Sequence, residues 1–176
     1  MVMAEATNHY FKHLGVSDGL SQVCIPSIYQ DELGAVWLGT TEGLNRYNGK
    51  DVKVFQPSES NHGLTNNEIN ELCGDKNGRM YIRSGNDLIK LDIYTEQFTC
   101  LRQKGVYGLF CKKDTLWVSC ADGIYYYTGQ GTELTFFARV QKGFVGRALY
   151  VDKETVWVVT RKYLVAISRE DPLRQE

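Results

Sequence analysis

Residues 37–47 read Trp37-Leu38-Gly39-Thr40-Thr41-Glu42-Gly43-Leu44-Asn45-Arg46-Tyr47. Two short runs with bulky apolar residues flank the turn residues Glu42-Gly43, which is the grammar of a hairpin. The same eleven positions return without a gap at 81–91 (YIRSGNDLIKL), 117–127 (WVSCADGIYYY) and 157–167 (WVVTRKYLVAI). The first column is Trp37, Tyr81, Trp117, Trp157, and the second is Leu38, Ile82, Val118, Val158. The fourth holds the small residues Thr40, Ser84, Cys120, Thr160, and the eighth holds Leu44, Leu88, Ile124, Leu164. Intervals of 44, 36 and 40 residues fit one repeating unit. A period of that size is the signature of a repeat architecture.

Working outward, each anchor follows an apolar segment and a turn. Asp31-Glu32-Leu33-Gly34 and Asp75-Lys76-Asn77-Gly78 carry Asp first and Gly last, which suits a type I turn closed at positive φ. After each hairpin comes a further strand, expected to centre on Phe55, Phe98 and Phe136 in the first three units. Only residues 66–72 (NNEINEL) carry a helical pattern, about one turn long. The unit is therefore a four-stranded antiparallel meander, the size of a propeller blade. The fourth unit lacks a Phe-centred run past Ile167. Phe11, Gly19-Leu20 and Ile28 repeat the spacing of Phe55, Gly63-Leu64 and Leu72, so residues 10–14 are expected to supply the missing outer strand. The expected fold is all-β: four four-stranded blades, the N-terminal strand completing the last and removing a sheet edge. The units fall at about 22–58, 66–102, 106–139 and 145–168 plus 9–14, with flexible ends at 1–8 and 169–176.

Composition agrees. The 176 residues carry 20 basic and 21 acidic side chains, a net charge of −1, so nucleic acid is not an expected partner. Apolar residues reach 43 %, too many for a disordered chain at so low a charge. No run approaches the ~18 apolar residues of a membrane helix, so this segment is expected to make no membrane contact, and 1–6 do not read as a signal peptide. The 17 glycines follow no collagen period and punctuate turns. Cys24, Cys73, Cys100, Cys111 and Cys120 form no CxxC pair and read as small buried apolar residues of strands.

The best copy of the repeat, Asp31-x-x-Gly34-x-x-Trp37-Leu38-Gly39-Thr40-x-x-Gly43-Leu44-x-x-Tyr47, resembles the regulator-propeller repeat of sensor regions in Bacteroidetes hybrid two-component systems. The resemblance covers about residues 9–168 and weakens in the fourth unit, where Arg161-Lys162-Tyr163 replaces x-x-Gly. In that family two seven-bladed propellers and an immunoglobulin-like domain precede a membrane helix, a histidine kinase, a receiver and a DNA-binding output domain. The resemblance implies a periplasmic sensor segment answering to glycan-derived oligosaccharides for transcriptional control. None of the kinase chemistry lies in these residues.

No catalytic residue, metal site or cofactor is expected. His9 and His13 are four apart, too far along a strand to share an ion. Asp75-Lys76-Asn77-Gly78 lacks the later acidic ligands of a calcium loop. No G-x-S-x-G is present. A metal-dependent lyase similar to the streptogramin-inactivating propellers would need a converging His and Glu, with His62 near Glu68 as its loop pair. The Trp column is read as packing between blades. Ligand-binding candidates are the loops expected on one face: Glu42, Asn66, Asn67, Asn86, Tyr107, Asp122, Arg147 and Lys162. They would suit sugar hydroxyls, or a protein partner if the propeller is an interaction scaffold. The chain could close as four blades or pair with a second copy in a larger two-fold ring; the homodimer is the expectation.

Overall fold

The computed structural model describes residues 12–58, 63–129, 131, 133–140, 146 and 148–173. A single turn of 3-10 helix, Val16–Asp18, precedes the first sheet. That sheet is an antiparallel meander of Ser27–Gln30 (β1), Val36–Thr40 (β2), Gly43–Tyr47 (β3) and Val52–Phe55 (β4). The second comprises Ile69–Gly74 (β5), Arg79–Ser84 (β6), Asp87–Asp92 (β7) and Gln97–Arg102 (β8). The third comprises Val106–Lys112 (β9), Thr115–Cys120 (β10), Gly123–Tyr127 (β11) and Thr135–Ala138 (β12). Ala148–Val151 (β13), Thr155–Val159 (β14) and Leu164–Ser168 (β15) make a three-stranded fourth sheet.

The turns form for the reason their composition suggests. Gly34 and Gly78 sit at φ +86° and +82°, and Gly34 N–H donates to the Asp31 carbonyl at 3.2 Å. A side chain is strained at such φ values. The hairpins fix the register, pairing Trp37 with Arg46, Tyr81 with Lys90, Trp117 with Tyr126 and Trp157 with Ala166.

Register in turn fixes which side chains meet between sheets. Successive inner strands β1, β5, β9 and β13 lie beside one another, so the sheets stack as blades about an axis. Trp37, Leu44 and Phe55 pack on Leu72, Met80, Ile82, Ile89 and Leu91 of the second sheet. Tyr81 and Leu88 pack on Leu109, Leu116 and Val118 of the third. Trp117 and Ile124 pack on Val151, Val156, Val158, Val165 and Ile167 of the fourth. Each of the first three sheets thus packs its anchor face on an aliphatic face of the next. At roughly 1.5–3 kcal/mol per fully buried large apolar side chain, these interfaces dominate the favourable energetics.

Several expectations need correction. Residues 66–72 are not a helical turn; Ile69 begins β5, where its side chain is fully buried between the first two sheets. The outer strands do not centre on their phenylalanines: Phe55 ends β4 and pairs with Leu44, while Phe98 and Phe136 are second in β8 and β12 and pair with Leu91 and Tyr125. Of residues 10–14, Tyr10 and Phe11 lie outside the described residues, and Lys12, His13 and Leu14 belong to no strand. Lys12 instead donates through Nζ to the Tyr47 hydroxyl of the first sheet at 2.8 Å. Cys24 and Cys100 are exposed rather than buried, and Cys24 lies outside any strand.

Candidate functional site

In a meander, the β2–β3 type of turn and the loop leading into each inner strand share one end of the stack. Glu42 lies in the β2–β3 turn, Asn86 in β6–β7, Asp122 in β10–β11 and Lys162 in β14–β15, while Asn66 and Asn67 precede β5. Tyr107 is not in a loop but is the second residue of β9, half-buried. Arg147 falls outside the described residues, as do His9 and His62. The spacing thus brings most of the set to one end, but much of it is committed to the fold.

Asp122 accepts from Arg102 Nη2 and from the Tyr125 hydroxyl, both at 2.7 Å. Desolvation works to raise its pKa, but those two bonds, with a backbone hydrogen bond and the Arg102 charge, together hold the carboxyl below its ordinary value. Arg102 also stands over the Tyr125 ring, its guanidinium carbon 4.6 Å from the centroid. Asn66 takes Glu68 N–H on its side-chain oxygen at 2.9 Å, while its backbone N–H and carbonyl both bond the Ser84 hydroxyl. The Asn86 carbonyl receives Val106 N–H at 3.0 Å. Thr40 and Thr160, from the small column, tie their turns by accepting from Glu42 N–H and Tyr163 N–H. Glu42, Asn67, Asn86 and Lys162 remain as exposed side chains.

Among the described residues, two grooves lie along the third and fourth sheets. A groove of about 540 Å³ runs past Trp117, Tyr126, Phe136 and Phe137 to Arg169 and Pro172. A second, of about 320 Å³, shares Trp117 and Arg169 and is edged by Lys112, Lys113, Lys153 and Asp114. Arg169 is held there: its Nη1 donates to the carbonyls of Asp152 and Lys153, and its guanidinium lies 5.5 Å from the Trp117 ring centroid. Lys112 Nζ donates to the Val151 carbonyl at 2.8 Å. Basic groups beside ring faces are suited to a polar ligand with anionic or hydroxyl groups. Periodicity could not find this groove, because it lies between units and borrows residues past the last strand. Among the described residues no three His, Cys, Asp or Glu side chains converge as a metal site.

Antiparallel meanders stacked through inner strands and anchor faces define a β-propeller architecture. Residues 19–42, from the loop before β1 to the β2–β3 turn, match the family model of the two component regulator propeller. The fold is similar to the extracellular domain of BT3049, a Bacteroides thetaiotaomicron protein assigned to the hybrid two component systems. The TM-score is 0.77 at 21 % identity, over 94 % of this chain and 26 % of that one. The extracellular domain of BT4673 from the same organism is similar at TM-score 0.74 and 17 % identity, over 95 % of this chain and 27 % of that one. Those identities speak to fold alone. In sequence, 53 residues are 40 % identical to histidine kinase P4 of Formosa agariphila, 30 % of this chain and 4 % of that protein. The chain therefore spans a small part of each relative. Among the described residues no helix is long and apolar enough to cross a membrane.

Proposed function

We propose that this chain is a ligand-sensing propeller segment of a hybrid two-component sensor, working in the periplasm and answering to glycan-derived oligosaccharides. The observation that carries this reading is the regulator-propeller repeat at 19–42, set in a fold similar to extracellular domains of such systems. The role is binding rather than catalysis, with kinase chemistry supplied elsewhere in the signalling system. A ligand would act through differential affinity for two arrangements of the sensor. Calorimetry of the chain, and of a longer sensor ectodomain containing it, against a panel of neutral and acidic oligosaccharides tests the reading. Heat from one class, with transcription of neighbouring genes lost in a deletion strain, is expected; no response in either would sink it.

A second reading, a protein-interaction scaffold, is favoured by one observation. Asp122 and Asn66 on the polar end are already bonded within the fold, and the two grooves are lined by none of the eight candidate residues. Alanine at Glu42, Asn67 and Lys162 that abolishes a protein contact but leaves sugar binding intact would select it.

A further inference from the structure

Cys73 on β5 and Cys111 on β9 lie on facing sides of the second and third sheets, their sulfurs 2.8 Å apart. Only about 0.8 Å separates that distance from a ~2.05 Å disulfide bond. The repeat makes the pairing specific. At the corresponding place between the first two sheets Tyr29 lies over Gly74, where an added Cβ would fall 2.2 Å from its hydroxyl oxygen. One interface therefore fits a large residue over none; the next sets two thiols opposite each other. We propose that Cys73 and Cys111 form a disulfide that staples the second sheet to the third. The oxidant is a small-molecule disulfide such as oxidised glutathione. One Cys thiolate attacks it, forming a mixed disulfide and releasing a reduced thiol. The second Cys thiolate then displaces the other half. The chain loses two electrons and two protons, and the small disulfide becomes two thiols. Burial and the neighbouring thiol push the Cys73 thiol up, so the bond closes best before the sheets finish packing.

The test uses the Cys24→Ser/Cys100→Ser chain, which removes the exposed thiols, incubated with oxidised glutathione. Intact mass should fall by about 2 Da. Proteolysis should yield one linked pair joining Cys73 to Cys111, absent after Cys73→Ala or Cys111→Ala. The linked chain should melt about 5–10 °C above its reduced form. Free thiols throughout, a link through Cys120, or equal melting of both forms would overturn the staple.

A second observation stands independently. At the eighth repeat position Leu44, Leu88 and Ile124 are fully buried, but Leu164 is 60 % exposed. Tyr150 and Val159 share its face and are also exposed. At the other end of the stack Ile28 is 63 % exposed, while its counterparts Leu72 and Leu109 are buried. The described residues thus leave open the Leu164, Tyr150 and Val159 patch of the last anchor face and, on the first receiving face, Ile28 and Val54 beside the buried Leu38 and Asn45. Contiguous apolar faces of this kind mark interaction sites.

We infer that the anchor face of the fourth sheet docks on the receiving face of the first sheet in a second copy. The contact repeats one the chain already makes between each successive pair of its own sheets. The segment before β1 reaches this sheet, with Ser21 N–H donating to Asn45 Oδ1 at 2.8 Å and Leu20 beside it buried. No comparable packing joins β13 to β1 within the chain among the described residues. A two-fold pair covers all four open faces at once and closes a ring of about eight blades, within the usual range. Light scattering should give twice the 20.0 kDa chain mass. Leu164→Glu and Ile28→Glu should each yield monomers with an unchanged circular dichroism spectrum. Mixing them should restore a one-to-one pair, because each retains the face the other lacks. A wild-type monomer, open-ended oligomers, or a dimer indifferent to both substitutions would overturn the inference.

Discussion

Asp31 is buried, yet its carboxylate is fully used. It accepts from Leu33 and Ala35 N–H through Oδ1 and from Trp37 Nε1 through Oδ2 at 2.8 Å. One side chain thus shapes the turn and orients the anchor indole. Asp152 does the same in the fourth unit, taking Glu154 and Thr155 N–H and Trp157 Nε1. Asp31→Ala strands buried donors, so a loss of about 2–4 kcal/mol is expected in urea unfolding. Acid should act through the same chemistry. The Trp157 indole and then the Glu154 and Thr155 amides hold Asp152 below its ordinary 3.8, and the Thr95 amide chiefly does so for Asp92. A lowered folded pKa means full stabilisation above the unfolded value and its loss as pH falls through the folded one. The urea midpoint should therefore fall below about pH 4, with part of that slope removed in Asp152→Asn.

Element by element, the hairpins were the most readable part of the sequence, because a turn such as Asp31 to Gly34 fixes register locally. The outer strands were not. Phe55, Phe98 and Phe136 are alike in type but meet Leu44, Leu91 and Tyr125, since their hairpins open on different pairs, Tyr47 with Val52, Asp92 with Gln97 and Tyr126 with Thr135. Ile69 looked helical beside Asn and Glu, but burial between two sheets overrides local propensity. The candidate site was legible only as turn positions. That Asp122 is consumed by Arg102 and Tyr125, or that Cys73 faces Cys111, depends on distances between units that spacing along the chain does not encode.

Two glycines separate turn strain from close approach. Gly34 has open space around its missing Cβ, so Gly34→Ala meets only its positive φ and should cost about 1 kcal/mol. A Cβ on Gly39 would lie 2.7 Å from Ile69 Cγ2 and 3.1 Å from Ile69 O, wedging the first two sheets apart. Gly39→Ala should cost about 1–3 kcal/mol and enhance exchange of the Ile69 region first, which hydrogen exchange with mass readout resolves.

Across the whole molecule, each sheet contacts its sequence neighbours, so stability should be distributed as in a linear array. The second and third sheets are covered on both faces, and Ile82, Ile89, Leu116 and Val118 are fully buried. The fourth is covered only on its Val158 and Val165 side, with Leu164 and Tyr150 open to solvent on the other. Opening it exposes one interface instead of two. In the monomeric Leu164→Glu chain, amides of β13–β15 should therefore exchange well before those of β6, β7 and β10, which should await global unfolding. In the wild-type chain the gradient is a readout of what covers the open face. A docked second copy should bring β14 and β15 protection up toward that of β10, in proportion to the fraction paired, and dilution should remove the gain. Protection of β14 that is equal in the two chains, and unchanged by concentration, would show that the exposed anchor face contributes nothing to the array.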